Sequence, residues 1–208
     1  MRLVLENVGK RYGRRHVFAG VSLTLGDGEC LVVSGPNGSG KSTLLGLIAG
    51  LHRPSTGEIR LEVDGVPLPR AAWRYVVGWV SPDLVLYPEL TARENLDFFA
   101  RLLGCPRDRA TLDRHLAQVG LAGREDDPVR TYSTGMRARL QYARALLVEP
   151  RLLLLDEPTT ALDPDGVALV EALIAAQRAR GALVLATNDP REFRHGDWQL
   201  TLAPGGRG

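Results

Sequence analysis

Gly35-Pro36-Asn37-Gly38-Ser39-Gly40-Lys41-Ser42 is the stretch on which the fold turns. It fits G-x-x-x-x-G-K-[ST], a loop whose successive backbone N–H groups converge on phosphates. Its glycines let the chain turn tightly enough for that convergence. A lysine in this place reaches the β- and γ-phosphates, and a following hydroxyl can hold Mg²⁺. The flanks supply the context the pattern needs. Glu29-Cys30-Leu31-Val32-Val33-Ser34 is a short apolar run that reads as a buried strand, and Thr43 to Ala49 continues as an apolar helix ended by Gly50. The positive end of that helix would then face the anion. A glycine-rich turn with a chance lysine would not need a strand before it and a helix after it. Gly35 through Thr43 are therefore candidate nucleotide contacts, with Lys41 also a candidate catalytic group and Ser42 a candidate metal ligand.

A second anchor lies downstream, in Arg151-Leu152-Leu153-Leu154-Leu155-Asp156-Glu157-Pro158. Four leucines followed by two acids read as a buried parallel strand whose acidic end emerges beside the phosphates. Asp156 is the candidate ligand for Mg²⁺, and Glu157, pointing elsewhere, is the candidate general base for the attacking water. Alone, the stretch could equally be a core strand ending in a polar turn.

Between the two lies Tyr132-Ser133-Thr134-Gly135-Met136, ahead of a helical stretch from Met136 to Val148 that stops at Glu149-Pro150. Read by itself, Ser133 is a helix N-cap. Placed just upstream of the Asp156 strand, the segment resembles the signature sequence of ABC-transporter ATPases, Leu-Ser-Gly-Gly-Gln. Ser133 and Gly135 keep two of the five residues, and Tyr132, Thr134 and Met136 replace the others. The resemblance extends over nearly the whole chain. It implies an α/β P-loop NTPase fold: a mainly parallel sheet, an antiparallel β edge subdomain, and a helical signature subdomain over about residues 84–150, all in one ATP-binding domain of residues 1–208. It also implies ATP with Mg²⁺, held between the phosphate loop of one subunit and Ser133 and Gly135 of a second ATP-binding subunit. Tyr12 lies where the family stacks an aromatic ring on adenine, though an exposed hairpin tyrosine would look the same. Ala161-Leu162-Asp163 matches the loop that crosses to the partner. Asp163 before Pro164 also reads as a helix N-cap with proline at the first position, and both readings can hold.

The chain departs from the family at two places. Aligning residues 75–80 and 86–91 with the family's intervening strand puts Pro82 where a glutamine contacts Mg²⁺ and the attacking water. Proline has neither a polar side chain nor an N–H, so Ser81 or Asp83 is left to serve, and Asp83 is a candidate metal ligand. Asn188, in Thr187-Asn188-Asp189-Pro190, stands where a histidine usually meets the γ-phosphate. It can donate a hydrogen bond but cannot take up a proton. The same four residues also read as a turn and helix cap. His195 follows too far on to substitute and reads as a surface histidine.

Composition narrows the function classes. The 208 residues are 44% hydrophobic and 24% charged with a net charge of +2, an ordinary globular balance without the basic excess of a nucleic-acid binder. Apolar runs fall far short of the ~20 residues of a spanning helix. No leader pattern is read at the N-terminus, so the pore is expected on a separate transmembrane permease subunit, with this chain cytoplasmic and peripheral on the inner face of the cell membrane. Cys30 and Cys105 form no metal or disulfide pattern, and the four histidines show no zinc spacing.

Secondary-structure signals complete the frame. Residues 2–8 and 21–34 are strand-rich, and Glu58 to Val63 alternates before the turn Asp64-Gly65. Thr91-Ala92-Arg93-Glu94 is a capping box opening a helix to about Leu103. A second helix is expected over Thr111–Val119, strands over 151–155 and 182–186, and a helix from Pro164 to about Arg180 that ends at Gly181. The tail 204–208 is expected to be loose. Together these readings imply an ATP-hydrolysing subunit that powers a transporter by closing a dimer around nucleotide. The surface near Ser81 to Tyr87, apolar over Leu84 to Tyr87, and the helix from Thr91 are the expected docking surface for the permease. The departures leave two alternatives: a regulatory module that binds ATP with weak turnover, or an ATPase working on nucleic acid. The second usually carries paired cassettes or long insertions that are missing here. A GTPase is disfavoured because no N-K-x-D segment occurs.

Overall fold

A computed structural model describes residues 1–82 and 84–203. Asp83 and the tail 204–208 lie outside the described residues.

Two sheets are built from different kinds of sequence. The alternating segments form an antiparallel sheet of β1 (Arg2–Tyr12), β2 (Arg15–Gly26), β4 (Thr56–Val63) and β5 (Val66–Pro67), in the order β2-β1-β4-β5. The other sheet is parallel, made of β3 (Cys30–Ser34), β6 (Val77–Val80), β7 (Leu152–Asp156), β8 (Ala182–Ala186) and β9 (Trp198–Thr201) in the order β6-β7-β8-β3-β9, with the continuous apolar runs in its inner strands β3, β7 and β8. Strands buried on both faces need no alternation, and β7 and β8 are buried at every residue.

The period of two along those strands sorts the core into two clusters. Leu152, Leu154, Val184, Leu31 and Val33 pack with α1 (Lys41–Ile48) and with Leu3, Leu5 and Leu61 of the antiparallel sheet. Leu153, Leu155, Leu183 and Leu185 face the other way, toward α4 (Thr134–Leu146) and α5 (Pro164–Arg178). The same cluster runs on without a break into Leu96 of α2 (Ala92–Leu102) and Leu112 and Leu116 of α3 (Arg109–Gln118). No helix is long and apolar enough to cross a membrane among the described residues.

Most elements start where the sequence signals them. The capping box is formed: Glu94 N–H donates to Thr91 Oγ1 at 3.2 Å, and Thr91 N–H donates to Glu94 Oε2 at 2.8 Å. Asp163 caps α5 by accepting from Gly166 N–H at 2.8 Å, with Pro164 at the first helical position. α3 begins two residues ahead of the expected Thr111, because Asp108 accepts from Thr111 N–H at 2.7 Å and caps it. α4 likewise begins at Thr134 and not Met136, since Ser133 is its cap.

Candidate functional site

Parallel pairing places the decisive residues at one edge of the sheet. Val33 lies abreast of Ala186, Ala186 abreast of Asp156, and Leu155 abreast of Val80. The residues one step beyond, Ser34, Thr187, Glu157 and Ser81, therefore emerge together at the carboxyl ends of their strands. In open α/β sheets this is where ligands bind.

The loop from Gly35 to Ser42 crosses this edge and runs into α1. Two of its glycines are required on steric grounds. Gly35 has φ +142°, and a Cβ there would lie 2.4 Å from the Leu202 carbonyl oxygen. Gly40 has φ +104°, and a Cβ there would lie 2.4 Å from Val17 Cγ1. Lys41 is buried, with its Nζ donating to the Gly35 carbonyl at 2.8 Å and lying 3.6 Å from Glu157 Oε1. A loop that curls its own lysine back over its first carbonyl has the concave form an anion needs.

Glu157 is held by its backbone in an unusual conformation. Its φ is +50°, its N–H donates to the Ala186 carbonyl at 2.8 Å, and a non-glycine residue in this region carries local strain. Burial raises its carboxyl pKa above the ordinary 4.5, against the lowering pull of Lys41 and of the Asn188 backbone N–H. Desolvation thus outweighs the ion pair, which is the setting of a base poised above the usual carboxylate range. Asp156, one residue earlier, is buried at the strand end.

These side chains surround one cavity of about 490 Å³. It is lined by Tyr12, Asn37, Gly38, Gly40, Lys41, Ser42, Thr43, Asp156 and Glu157, and also by Arg15 and Val17. Tyr12 is 52% exposed, with Lys10 Nζ 4.9 Å from its ring centroid, so one ring face remains open to a flat ligand. Sequence reasoning misses Arg15 and Val17. The hairpin holds a signal for them, since Arg15 pairs directly with Tyr12 in the β1–β2 register.

The other expected residues stand elsewhere. Gly35, Pro36 and Ser39 shape the loop without lining the cavity. Asn188 is exposed, and its Nδ2 donates to Asn37 Oδ1 at 2.9 Å, so it touches the phosphate loop itself. Ser133 and Gly135 do not line the cavity of their own chain. Ser133 is exposed at the start of α4, its Oγ accepting from Met136 N–H at 3.2 Å. Asp163 is ion-paired at 2.8 Å to Arg139 of α4, which ties the start of α5 to that helix. Ser81 is buried and Pro82 exposed; both line a second cavity of about 350 Å³ that also meets Asp156 and Glu157.

The donor set fits a magnesium nucleotide. Ser42 and Asp156 offer two hard oxygens to one cavity, and no group of three His, Cys, Asp or Glu side chains forms a closed metal cage among the described residues. Mg²⁺ in phosphate sites is held in this sparse way, by one or two protein oxygens plus the phosphates.

Comparison with known proteins gives a consistent picture. Residues 18–160 match the ABC transporter family. The chain is 42% identical over 173 residues to the cytochrome c biogenesis ATP-binding export protein CcmA 2 of Salmonella paratyphi A, covering 83% of this chain and 82% of that protein. It is 40% identical over 189 residues to the daunorubicin resistance ATP-binding protein DrrA3 of Streptomyces coeruleorubidus, covering 89% of this chain and 59% of that protein. Among solved structures, the bacterial ABC transporter cassette MJ0796 in dimeric form superposes with a TM-score of 0.84 at 28% identity, over 98% of this chain and 95% of that one. A post-hydrolysis dimer of the same cassette, bound to ADP and Pi, superposes with a TM-score of 0.82 at the same 28% identity, over 99% of each chain.

Proposed function

The chain belongs to the ABC transporter family as an ATP-binding subunit, and on that premise we propose how its own residues bind and split ATP and pass the result on. The observation that carries the reading is a separation. Lys41, Ser42, Asp156 and Glu157 share one cavity, whereas Ser133 and Gly135 do not line it. A site with its own phosphate grip, and a second anion-seeking helix end outside it, is completed by another copy or near-copy.

Tyr12 stacks on the adenine. The loop N–H groups and Lys41 take the phosphates, whose oxygens replace the Gly35 carbonyl as partners of Nζ. Ser42 and Asp156 would hold Mg²⁺, and the ion would neutralise charge on the phosphates. Glu157 takes the proton of the attacking water. Ser133 and the N–H groups that open α4 receive the γ-phosphate held by the partner, and the partner does the same in return, which closes a twofold dimer when the two are alike. Asp163 lies at that crossing. Loss of the γ-phosphate removes the cross-contact and opens the pair.

Turnover is slower than in relatives with polar groups at both variant positions. Pro82 gives no hydrogen bond, and Asn188 gives only a neutral one. One missing transition-state donor costs on the order of 2.7–4 kcal/mol. Ser81, just past β6 and lining the 350 Å³ cavity with Asp156, offers a hydroxyl in its place, while Asp83 lies outside the described residues.

The pore-forming partner is a separate permease, and the subunit sits peripherally on the inner face of the membrane. A groove of about 340 Å³ lined by Leu51, Trp79, Phe99, Leu102 and Arg144 is the docking place. Tyr87 and Phe98, with ring centroids 4.9 Å apart, stand exposed beside it. The helices of residues 84–150 form one side of this groove, and Leu51 and Trp79 the other, within a single domain of residues 1–208. Steady-state phosphate release by the purified chain, alone and with permease-containing membranes, tests the reading. ATP retention without any phosphate release in either case would replace it with a regulatory module.

A further inference from the structure

Two adjacent side chains of α4 grip the two catalytic loops. The Tyr142 hydroxyl, fully buried, donates to the Pro158 carbonyl at 2.7 Å, just past Glu157. The Gln141 Nε2 donates to the Leu84 carbonyl, in the loop that leaves β6. Gln141 lies eight positions after Ser133 on the same helix, about 12 Å along a rigid rod.

Among the described residues, hydrogen bonds also hold the loop on either side of Leu84. At the far end, Asn95 of α2 accepts from Tyr87 N–H at 2.8 Å and donates to the Tyr87 carbonyl at 3.0 Å. At the near end, Leu84 N–H closes a local turn to the Ser81 carbonyl at 3.1 Å. The tie from Gln141 joins the loop at Leu84 to the helix whose start is expected to meet the partner. Pro82 itself offers the loop no side-chain hydrogen bond.

The chemistry of Gln141 argues against a packing role. Its Oε1 is shut off from solvent and accepts no hydrogen bond among the described residues, while the side chain lines the 350 Å³ cavity shared with Pro82, Asp156 and Glu157. A buried acceptor left without a donor costs about 1–3 kcal/mol. A leucine of similar size would fill the same wall without that cost.

We propose that Gln141 is a positioning residue for hydrolysis: it fastens the loop after β6 to α4, so that seating Ser133 on the partner's nucleotide sets the loop against Asp156 and Glu157. The inference rests on the reading of the chain as an ATPase that closes around nucleotide.

The test uses the full chain with its permease and the variants Gln141→Leu and Gln141→Ala. Expected are ATP affinity and KM within twofold of the unaltered chain and a kcat at least tenfold lower. Hydrogen exchange supplies the readout that packing alone would not move. In the Glu157→Gln background, ATP should slow exchange of the 84–87 amides, and adding either Gln141 variant should abolish that ATP dependence. If Gln141→Leu melts early, Gln141→Ala, which suits a helix, decides between the outcomes. A folded variant with kcat within twofold, or with the same ATP-dependent protection of 84–87, overturns the proposal. No turnover in the unaltered chain would instead overturn the underlying ATPase reading and take this inference with it.

Discussion

Lys41 and Glu157, the expected phosphate grip and the expected base, face each other at 3.6 Å, and the lysine is the more buried of the two. Each therefore neutralises the other until phosphate arrives. Removing either one should expose a different step. Lys41→Ala deletes a charge-assisted contact worth about 1.5–3 kcal/mol, so ATP affinity should fall roughly tenfold to a hundredfold. Titration with a fluorescent nucleotide measures this, and undiminished affinity would remove Lys41 from the site.

Glu157→Gln should leave ATP binding intact and stop hydrolysis, because only the base is lost. The chain should then accumulate as a closed dimer in ATP, with the Ser133 side of each copy against the other's nucleotide. Gel filtration with light scattering reads the outcome. A species that stays monomeric in saturating ATP, with permease supplied, contradicts dimer closure.

The raised pKa of Glu157 also predicts a dependence of stability on pH. Burial makes the folded chain hold this proton more tightly than the unfolded chain does. Folded protein then binds more protons than unfolded protein, so stability falls as pH rises from the ordinary 4.5 through the raised value, and is level outside that window. Glu157→Gln lacks the effect. Its melting temperature should gain on the unaltered chain as pH climbs through the window and hold that gain at neutral pH. The Lys41 contact works in the opposite direction. If the unaltered chain melts higher than the variant at neutral pH, the ion pair outweighs burial and the argument fails.

What the sequence made legible was whatever is local. The strand–loop–helix around Lys41, the Thr91–Glu94 capping box and the Asp163-Pro164 cap each depend on a few successive residues, and all three are present. α3 starts earlier than its apolar pattern indicates because Asp108 looks like a loop residue until its side chain is seen to cap, while α4 opens at Thr134 directly after Ser133, the cap that the sequence does offer. β9 carries little pattern of its own: Trp198, Gln199 and Thr201 are exposed, and the strand forms by pairing with β3 along one edge. The contacts of Lys41 with Glu157, Asn188 with Asn37, and Gln141 with Leu84 join distant segments, so no spacing rule could announce them.

Asn188 offers a direct test of the variant chemistry. Its amide now bonds Asn37 in the phosphate loop. Asn188→Ala removes a neutral hydrogen bond worth about 0.5–1.5 kcal/mol, so kcat should fall roughly threefold to tenfold with KM little changed. Asn188→His and Pro82→Gln, which restore the family's polar groups, should each raise kcat. Brisk turnover in the unaltered chain that is indifferent to Asn188→Ala would show that neither departure slows the reaction.

Leu102 separates docking from catalysis. It is 64% exposed on α2 at the rim of the apolar groove, close to the exposed ring of Phe98. A charge placed there touches no core contact, so Leu102→Asp should change stability by no more than about 0.5 kcal/mol and leave ATP affinity unaltered. Against an apolar partner surface the same charge would be desolvated, which binding tolerates poorly. Co-purification with the permease should be lost, and with it any stimulation of phosphate release, while the basal rate of the free chain persists. A Leu102→Asp chain that still co-purifies and is still stimulated would move the docking surface away from this groove.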